Sequence, residues 1–340
     1  MLSRVADSIY WLNRYIERGE NVARFIDVNL NLMLDLPAGV SPQWKPLISV
    51  TGDIEQFHAS YDQANSENVI QFLCFDTSYA NSIISCLQKA RENARSIREV
   101  ISSEMWEEVN SCYLMIKEAA ATSSFGTLPK FFSEVKMASH RFAGVMDATM
   151  SHNEGWQFGQ MGRLLERADK TTRILDVKYF LLLPSAEWVG TPLDRIQWMA
   201  LLKSASAYEM YSKCQHHISP GSVADFLILD RQFPRSINFC LWQTQQCLHE
   251  ITQTPPGHWC NGAERALGRL CSHLSYLTIE DIIQSGLHEF LEGMQNSINE
   301  VGQEIYTTFI ALSDSFSVIP NQSSNNLQLQ SASNPQASST

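Results

Sequence analysis

The chain is 340 residues long, 44% hydrophobic, and carries a formal net charge of -11. That length and apolar content support one large core or two packed halves and exclude global disorder, while the acidic balance excludes the basic stripe of a nucleic-acid or anionic-membrane surface. No run of about 18 uncharged apolar residues occurs and Met1 to Asp7 lacks the apolar stretch of a signal peptide, so no membrane span is expected and the protein is placed in the cytoplasm.

Taken in order, the chain reads as helices throughout, with no alternating strand pattern to compete. Apolar residues recur at helical spacing from Ser3, a plausible cap, to Leu34, where Asp35-Leu-Pro37 stops them. Residues 37 to 46 read as a loop. A short helix from Pro46 to Phe57 follows, then another from Asn68 to Cys74. Asp76-Thr-Ser78 reads as the cap of a long helix from Tyr79 to Ile101, and Ser103 as the cap of one through Ala120. Thr122 to Gly126 is a turn, and Pro129 opens a helix to Met150. The second half reads as Gly155 to Leu183, Pro192 to Gln215, Gly221 to Leu229, Pro234 to Thr252, Asn261 to Leu277, and one long helix from Ile279 to about Leu312. Residues 318 to 340 are Pro, Asn, Gln and Ser with little apolar content, the composition of a disordered tail.

The first helix is stated twice. Arg14, Glu17, Arg18, Arg24, Asp27 and Val28 return 149 positions later as Arg163, Glu166, Arg167, Arg173, Asp176 and Val177, with Glu20 returning as Asp169. Phe72-Leu-x-x-Asp76-x-x-Tyr79-x-Asn81-Ser82-Ile83 returns 154 positions on as Phe226-Leu-x-x-Asp230-x-x-Phe233-x-Arg235-Ser236-Ile237. Trp44-x-x-Leu47 matches Trp198-x-x-Leu201, and His140-x-Phe142 matches His288-x-Phe290. Matches in one order along the chain mark an internal duplication. The fold class expected is all-α, an internally duplicated helical bundle in pseudo-twofold arrangement, with one domain over 1–315 and repeat halves of about 1–150 and 155–315.

At 100° per residue, Arg14, Glu17, Asn21, Arg24 and Asp27 share one face, as do Arg163, Glu166, Lys170, Arg173 and Asp176. A solvated face would interchange Arg and Lys freely, whereas here Arg returns as Arg and Glu as Glu. Tyr10, Phe25, Val28, Ile174 and Val177 on the same stripe indicate burial. The two helices are therefore expected to face each other and form an Arg/Glu/Asp network, serving either structure or a ligand that carries carboxylate and ammonium groups.

The opening Met1-Leu-Ser-Arg4-x-Ala-Asp-x-x-Tyr10-Trp11-x-x-Arg14-Tyr-x-Glu17-Arg18-x-Glu20-Asn21-x-Ala-Arg24 resembles the signature of the bacterial alpha-E domain family. Ala90-Arg91-Glu-Asn-Ala-Arg95-x-x-Arg98-Glu99, Gly155-Trp156-x-Phe158-x-x-x-Gly162-Arg163-x-x-Glu166-Arg167-Ala168-Asp169 and Asp230-x-x-Phe233-Pro234-Arg235-Ser236 extend the likeness over about 1–315. Asn13 departs from it where the family more usually has Gly. The resemblance implies an all-helical protein whose genes lie beside, or are fused to, a circularly permuted ATP-grasp enzyme, often with a transglutaminase-like protein nearby. It implies work in peptide or amide-bond formation, as a companion of the ligase, and supplies no established catalytic residues.

Other signals are weaker. In Asp230-Arg231-x-Phe-Pro234-Arg235-Ser236 the two arginines beside a helix start offer an anion or carboxylate pocket or, more simply, Asp230 or Ser236 is a cap and Pro234 a first-turn residue. Arg91, Arg95 and Arg98 with Glu92 and Glu99 form either a partner surface or a solvated face. Glu55-Gln-Phe-His58 stands alone where a di-iron bundle needs two such pairs, and His216-His217 falls at a helix end. The eight cysteines are scattered without C-x-x-C spacing and read as reduced core thiols. No P-loop, G-x-S-x-G or H-E-x-x-H occurs, so no metal or cofactor is expected. The leading expectation is an accessory or scaffold protein for the ligase that holds an amino-acid or peptide substrate on its Arg/Glu helices. The rival is an enzyme with Glu17 or Glu166 as general base and Arg14, Arg24, Arg163 or Arg173 on a carboxylate.

Overall fold

A computed structural model describes residues 1–34, 44–122, 128–181 and 191–311. Two long helices run side by side through its centre: α1 (Ser3–Leu34) and α8 (Glu154–Leu181). They are parallel. The Met1 amino group donates to Glu154 Oε2 at 2.7 Å at their starts, Arg18 meets Glu166 midway, and Val28 and Val177 line one cavity near their ends. Their opposite faces are buried too, through Leu12, Ile26, Leu165 and Leu175, which is how a helix packed on all sides reads.

Close approach depends on one glycine. A Cβ on Gly162 would lie 2.3 Å from the carbonyl oxygen of Tyr10, and backbone has nowhere to go. Asn13, at the matching position of α1, faces Gly159 instead and donates Nδ2 to Ile9 O at 3.0 Å, so the departure at position 13 is met by a glycine opposite.

The helices α2 (Lys45–Thr51), α3 (Ile54–Ser60), α4 (Ser66–Ile70), α5 (Ile83–Ser96), α6 (Ser103–Thr122) and α7 (Leu128–Thr149) lie between the central pair in sequence. After α8 come α9 (Pro192–Ser204), α10 (Tyr208–Cys214), α11 (Pro220–Leu229), α12 (Ile237–Thr252), α13 (Gly262–Ser275), α14 (Ile279–Ser285) and α15 (Leu287–Ile305). Gln71–Phe75 and Tyr306–Ile310 are π turns, and the described residues contain no strand. α5 and α7 flank α1, with α6 packed outside them; α12 and α15 flank α8, with α13 outside. α2 crosses to pack on α8, and α9 on α1. The buried apolar side chains form one continuous core, in which Trp44 and Trp198 are both enclosed.

Several expected helices are broken in the structure. Pro46 to Phe57 is two helices, because Gly52 takes φ +82° and closes α2. Pro192 to Gln215 is likewise two, divided at Ser206 with φ +52°, and the last helix is cut at Gly286 with φ +95°. Asp76 does not cap a long helix: its Oδ1 takes the amide and hydroxyl of Ser78 in a turn, and Ser82 caps the shorter α5 by accepting from Ser85 N. Ser102, one residue before the expected cap, accepts from Met105 N. Ser236 caps α12, so Pro234 precedes that helix rather than opening it. The loop expected at 37–46 lies mostly outside the described residues, as do most of the turn at 122–126 and the whole tail at 318–340.

Candidate functional site

The charged faces of α1 and α8 meet along the central seam. Arg18 holds Glu166 in a two-pronged pair, Nε to Oε1 at 2.7 Å and Nη2 to Oε2 at 2.9 Å, and Arg14 Nε adds a third contact at 3.0 Å. Arg167 holds Glu17 in the same way, Nε to Oε1 at 2.9 Å and Nη2 to Oε2 at 2.8 Å. Each Glu-Arg dipeptide thus gives its arginine to the other's glutamate. Such forked pairs are short, directional and strong.

The neighbouring carboxylates draw on different elements. Arg235, from the loop before α12, donates Nη1 to Glu17 at 3.0 Å and Nη2 to both oxygens of Glu20 at 2.7 Å. Thr171 fixes that loop by donating to the carbonyl of Arg235 at 3.0 Å. Arg24 also pairs with Glu20. On α8, Arg173 and Lys170 hold Asp169 at 2.9 and 3.1 Å, and Lys170 reaches Glu166 at 3.6 Å. Asp27 takes Lys136 of α7 at 2.6 Å, and Asp176 takes His288 of α15 at 2.5 Å.

Electrostatics follows from this geometry. Burial by itself would push the four carboxyls up. The positive charges of Arg167 and Arg235 on Glu17, Arg235 and Arg24 on Glu20, Arg18 with Lys170 on Glu166, and Lys170 with Arg173 on Asp169 outweigh it and hold all four below the ordinary range. Arg163 is the exception. Its Nη2 bonds only Gln160, its buried Nε has no partner, and burial together with nearby Arg167 lowers it to about 10.

The seam is closed. Glu17 is 1% exposed and Glu166 0%, and both are surrounded by cations already paired to them. The cavity of about 80 Å³ near the C-terminal turns of α1 and α8 is lined by Phe25, Val28, Ile174 and Val177, not by either glutamate. A general base needs a reachable oxygen and a pKa near the working pH; these two carboxylates have neither.

The remaining candidates lie elsewhere. Asp230 is a turn-former whose Oδ1 accepts from the amides of Gln232 and Phe233 at 2.7 and 2.6 Å; with Arg235 drawn into the seam, the expected anion pocket does not assemble. Arg91 stays on the outer layer, bonded to Asn110 at 2.7 Å and stacked over Trp106 and Tyr113, while Arg95 is exposed. Six cysteines are buried and Cys214 and Cys260 are exposed. Burial pushes Cys112, Cys240, Cys247 and Cys271 up to about 12, far from thiolate chemistry at neutral pH. Among the described residues, no three His, Cys, Asp or Glu side chains gather as a metal site. Lys136, His288, Asn81 and Thr171 are seam residues that the helix-face pattern did not reveal. Asn81 and His288 stood in the repeat matches; Lys136 and Thr171 had no signal.

A family model described as "a predicted alpha-helical domain with a conserved ER motif" matches residues 1–310. The chain is also similar to uncharacterized proteins of Mycobacterium bovis and Mycobacterium tuberculosis, at 20% identity over 336 residues, covering 91% of this chain and 37% of theirs. The chain therefore spans little more than a third of the length of these relatives. No solved structure matches. No helix among the described residues is long and apolar enough to cross a membrane.

Proposed function

The chain belongs to the Alpha-E family, and we propose that it works as a non-catalytic accessory or scaffold protein of a circularly permuted ATP-grasp ligase, in peptide or amide-bond formation or peptide modification. The observation that carries this reading is the closed seam. The most distinctive residues of the chain are spent on holding α1 to α8, so the protein acts through its surfaces. The greater length of the mycobacterial relatives supports it: there the same unit is one part of a larger polypeptide. A transglutaminase-like protein is a second companion of this assembly, and the cytoplasm, where ATP is plentiful, is its setting.

The same closure argues against a substrate held on the Arg/Glu faces and against Glu17 or Glu166 as a base. Adding the purified chain to the ATP-grasp protein tests the proposal. ATP turnover or product formation that depends on the chain supports the accessory role; a ligase that binds nothing and runs equally well alone overturns it.

A further inference from the structure

The outer face of α13 carries Arg265, Arg269 and His273 in successive i, i+4 steps, followed by Tyr276, and all four are exposed. Like charges at this spacing destabilise a helix by tenths of a kcal/mol per pair, and neither arginine forms an ion pair among the described residues. The nearest acid in sequence, Glu264, borders the groove beside this face but is 4% exposed, its carboxylate accepting from Thr252 Oγ1 and from Cys260 N at 2.6 Å. This face borders a groove of about 760 Å³ floored by Gly268 and Gln245. Its other wall is the turn ending at Trp259, which is 59% exposed; Tyr276 is 88% exposed. In a chain of net charge -11, this is a local cationic and aromatic surface.

The guanidinium carbon of Arg265 lies 5.1 Å from the centroid of the Trp259 ring. Stacking occupies the flat face of the guanidinium and leaves its in-plane N–H edge free for a carboxylate. Residues one i, i+4 step apart rise about 6 Å along a helix. Alternate side chains of an extended chain are about 6.6 Å apart. Carboxylates at every second position of an extended segment therefore fall opposite Arg265 and Arg269 in turn.

We propose that this groove receives an extended acidic segment of a partner protein, with carboxylates at alternate positions. Residues 312–340 of this chain contain a single acid, Asp314, and do not supply that pattern. The further polypeptide that accompanies this unit in the mycobacterial relatives points to a protein segment as the occupant. The proposal rests on the accessory reading only in taking the occupant to be a protein; the test reads peptide binding, not ligation, so the two fail separately.

Fluorescence anisotropy with a labelled, end-capped peptide of alternating Glu and Ser provides the test, with the Gln-Ser peptide as control. The full chain should bind the Glu peptide, more weakly at high salt, and not the Gln peptide. Arg265→Gln with Arg269→Gln should weaken binding about tenfold, the loss expected of two exposed ion pairs, with an unchanged melting temperature. Trp259→Leu, which removes the stacking partner alone, should weaken it less. Equal binding of both peptides, or full binding by the double variant, overturns the proposal. So does binding that requires free peptide termini, which marks a free peptide ligand, or a dimer of this chain that the double variant dissociates.

Discussion

On the α1 side of the seam, Glu17 and Glu20 take a cation from a distant loop, Arg235, while the helix position beside them holds neutral Asn21. On the α8 side, Glu166 and Asp169 take theirs from the helix itself, Lys170, and the loop position corresponding to Arg235 holds neutral Asn81, which accepts from Arg18 at 2.6 Å. Asn21 and Lys170 match at an offset of 149, Asn81 and Arg235 at 154. Each cluster thus gains one cation bridging its two carboxylates, while the element supplying that cation changes. The comparison teaches that what is fixed at this seam is neutralisation of buried carboxylates rather than any one contact. Arg163 shows the remainder: its counterpart Arg14 reaches Glu166, but Glu17 is already filled by Arg167 and Arg235.

The sharpest way to break this comparison is to remove two neighbouring arginines in turn. Arg167→Met takes the two-pronged partner from buried Glu17, leaving it a single contact from Arg235, which is shared with Glu20, and should cost about 3–5 kcal/mol in urea unfolding, the penalty for removing one partner of a buried pair. Arg163→Met removes a cation that has no carboxylate partner and should change stability by less than about 1 kcal/mol. Equal costs would mean that Arg163 belongs to the network after all.

Gly162 and Asn13, matched in sequence, differ in what they touch. Gly162→Ala drives a Cβ into the Tyr10 carbonyl and should destabilise by about 1–3 kcal/mol, whereas Gly144→Ala, at a helical site with nothing within 4 Å, should stabilise slightly. Thermal unfolding of the two variants separates close helix approach from general glycine effects.

Transplanting the α8 solution into α1 tests compensation. Arg235→Asn alone should destabilise strongly, and adding Asn21→Lys should restore part of the loss, a coupling of about 1 kcal/mol or more in a double-mutant cycle. Strict additivity would show that the two clusters are not interchangeable.

A last contrast is in pH. The seam carboxyls, depressed by their arginines, give stability that is fully present above the ordinary carboxylate range and is lost only as pH falls through their lower folded values. His288, raised by Asp176, gives stability present below the ordinary histidine value and lost as pH rises through its folded one. His140, at the corresponding place on α7, is lowered chiefly by burial, with Arg24 and Arg235 adding to it against the pull of Glu20. NMR titration should therefore find the two midpoints on opposite sides of the ordinary value; a shared midpoint would remove this contrast.

The seam was legible because helix periodicity and repeated side-chain identity act at short range: α1 runs from Ser3 to Leu34 as its pattern indicates, and Tyr10, Phe25 and Ile174 are buried with the charges. The breaks were not. Apolar spacing continues across Ser206 and Gly286, and nothing local marks Ser206 for a positive φ. The role of Arg235 was hidden for another reason. Its neighbours describe a helix start, whereas its partners Glu17 and Glu20 are decided by packing across the whole chain. The α13 face escaped notice because exposed arginines at helical spacing have the same pattern whether solvated or bound.

The forked pairs also set a schedule for folding during synthesis. Glu17 is made 218 residues before Arg235. At about 5–20 residues per second, the ribosome takes roughly 10–45 s to supply that guanidinium. α8 is made before Arg235, so α1 can already lie against it through the Arg18–Glu166 and Arg167–Glu17 pairs, but Glu20 lacks its loop cation until Arg235 arrives, and the seam of the first helix is closed only after much of the second half exists.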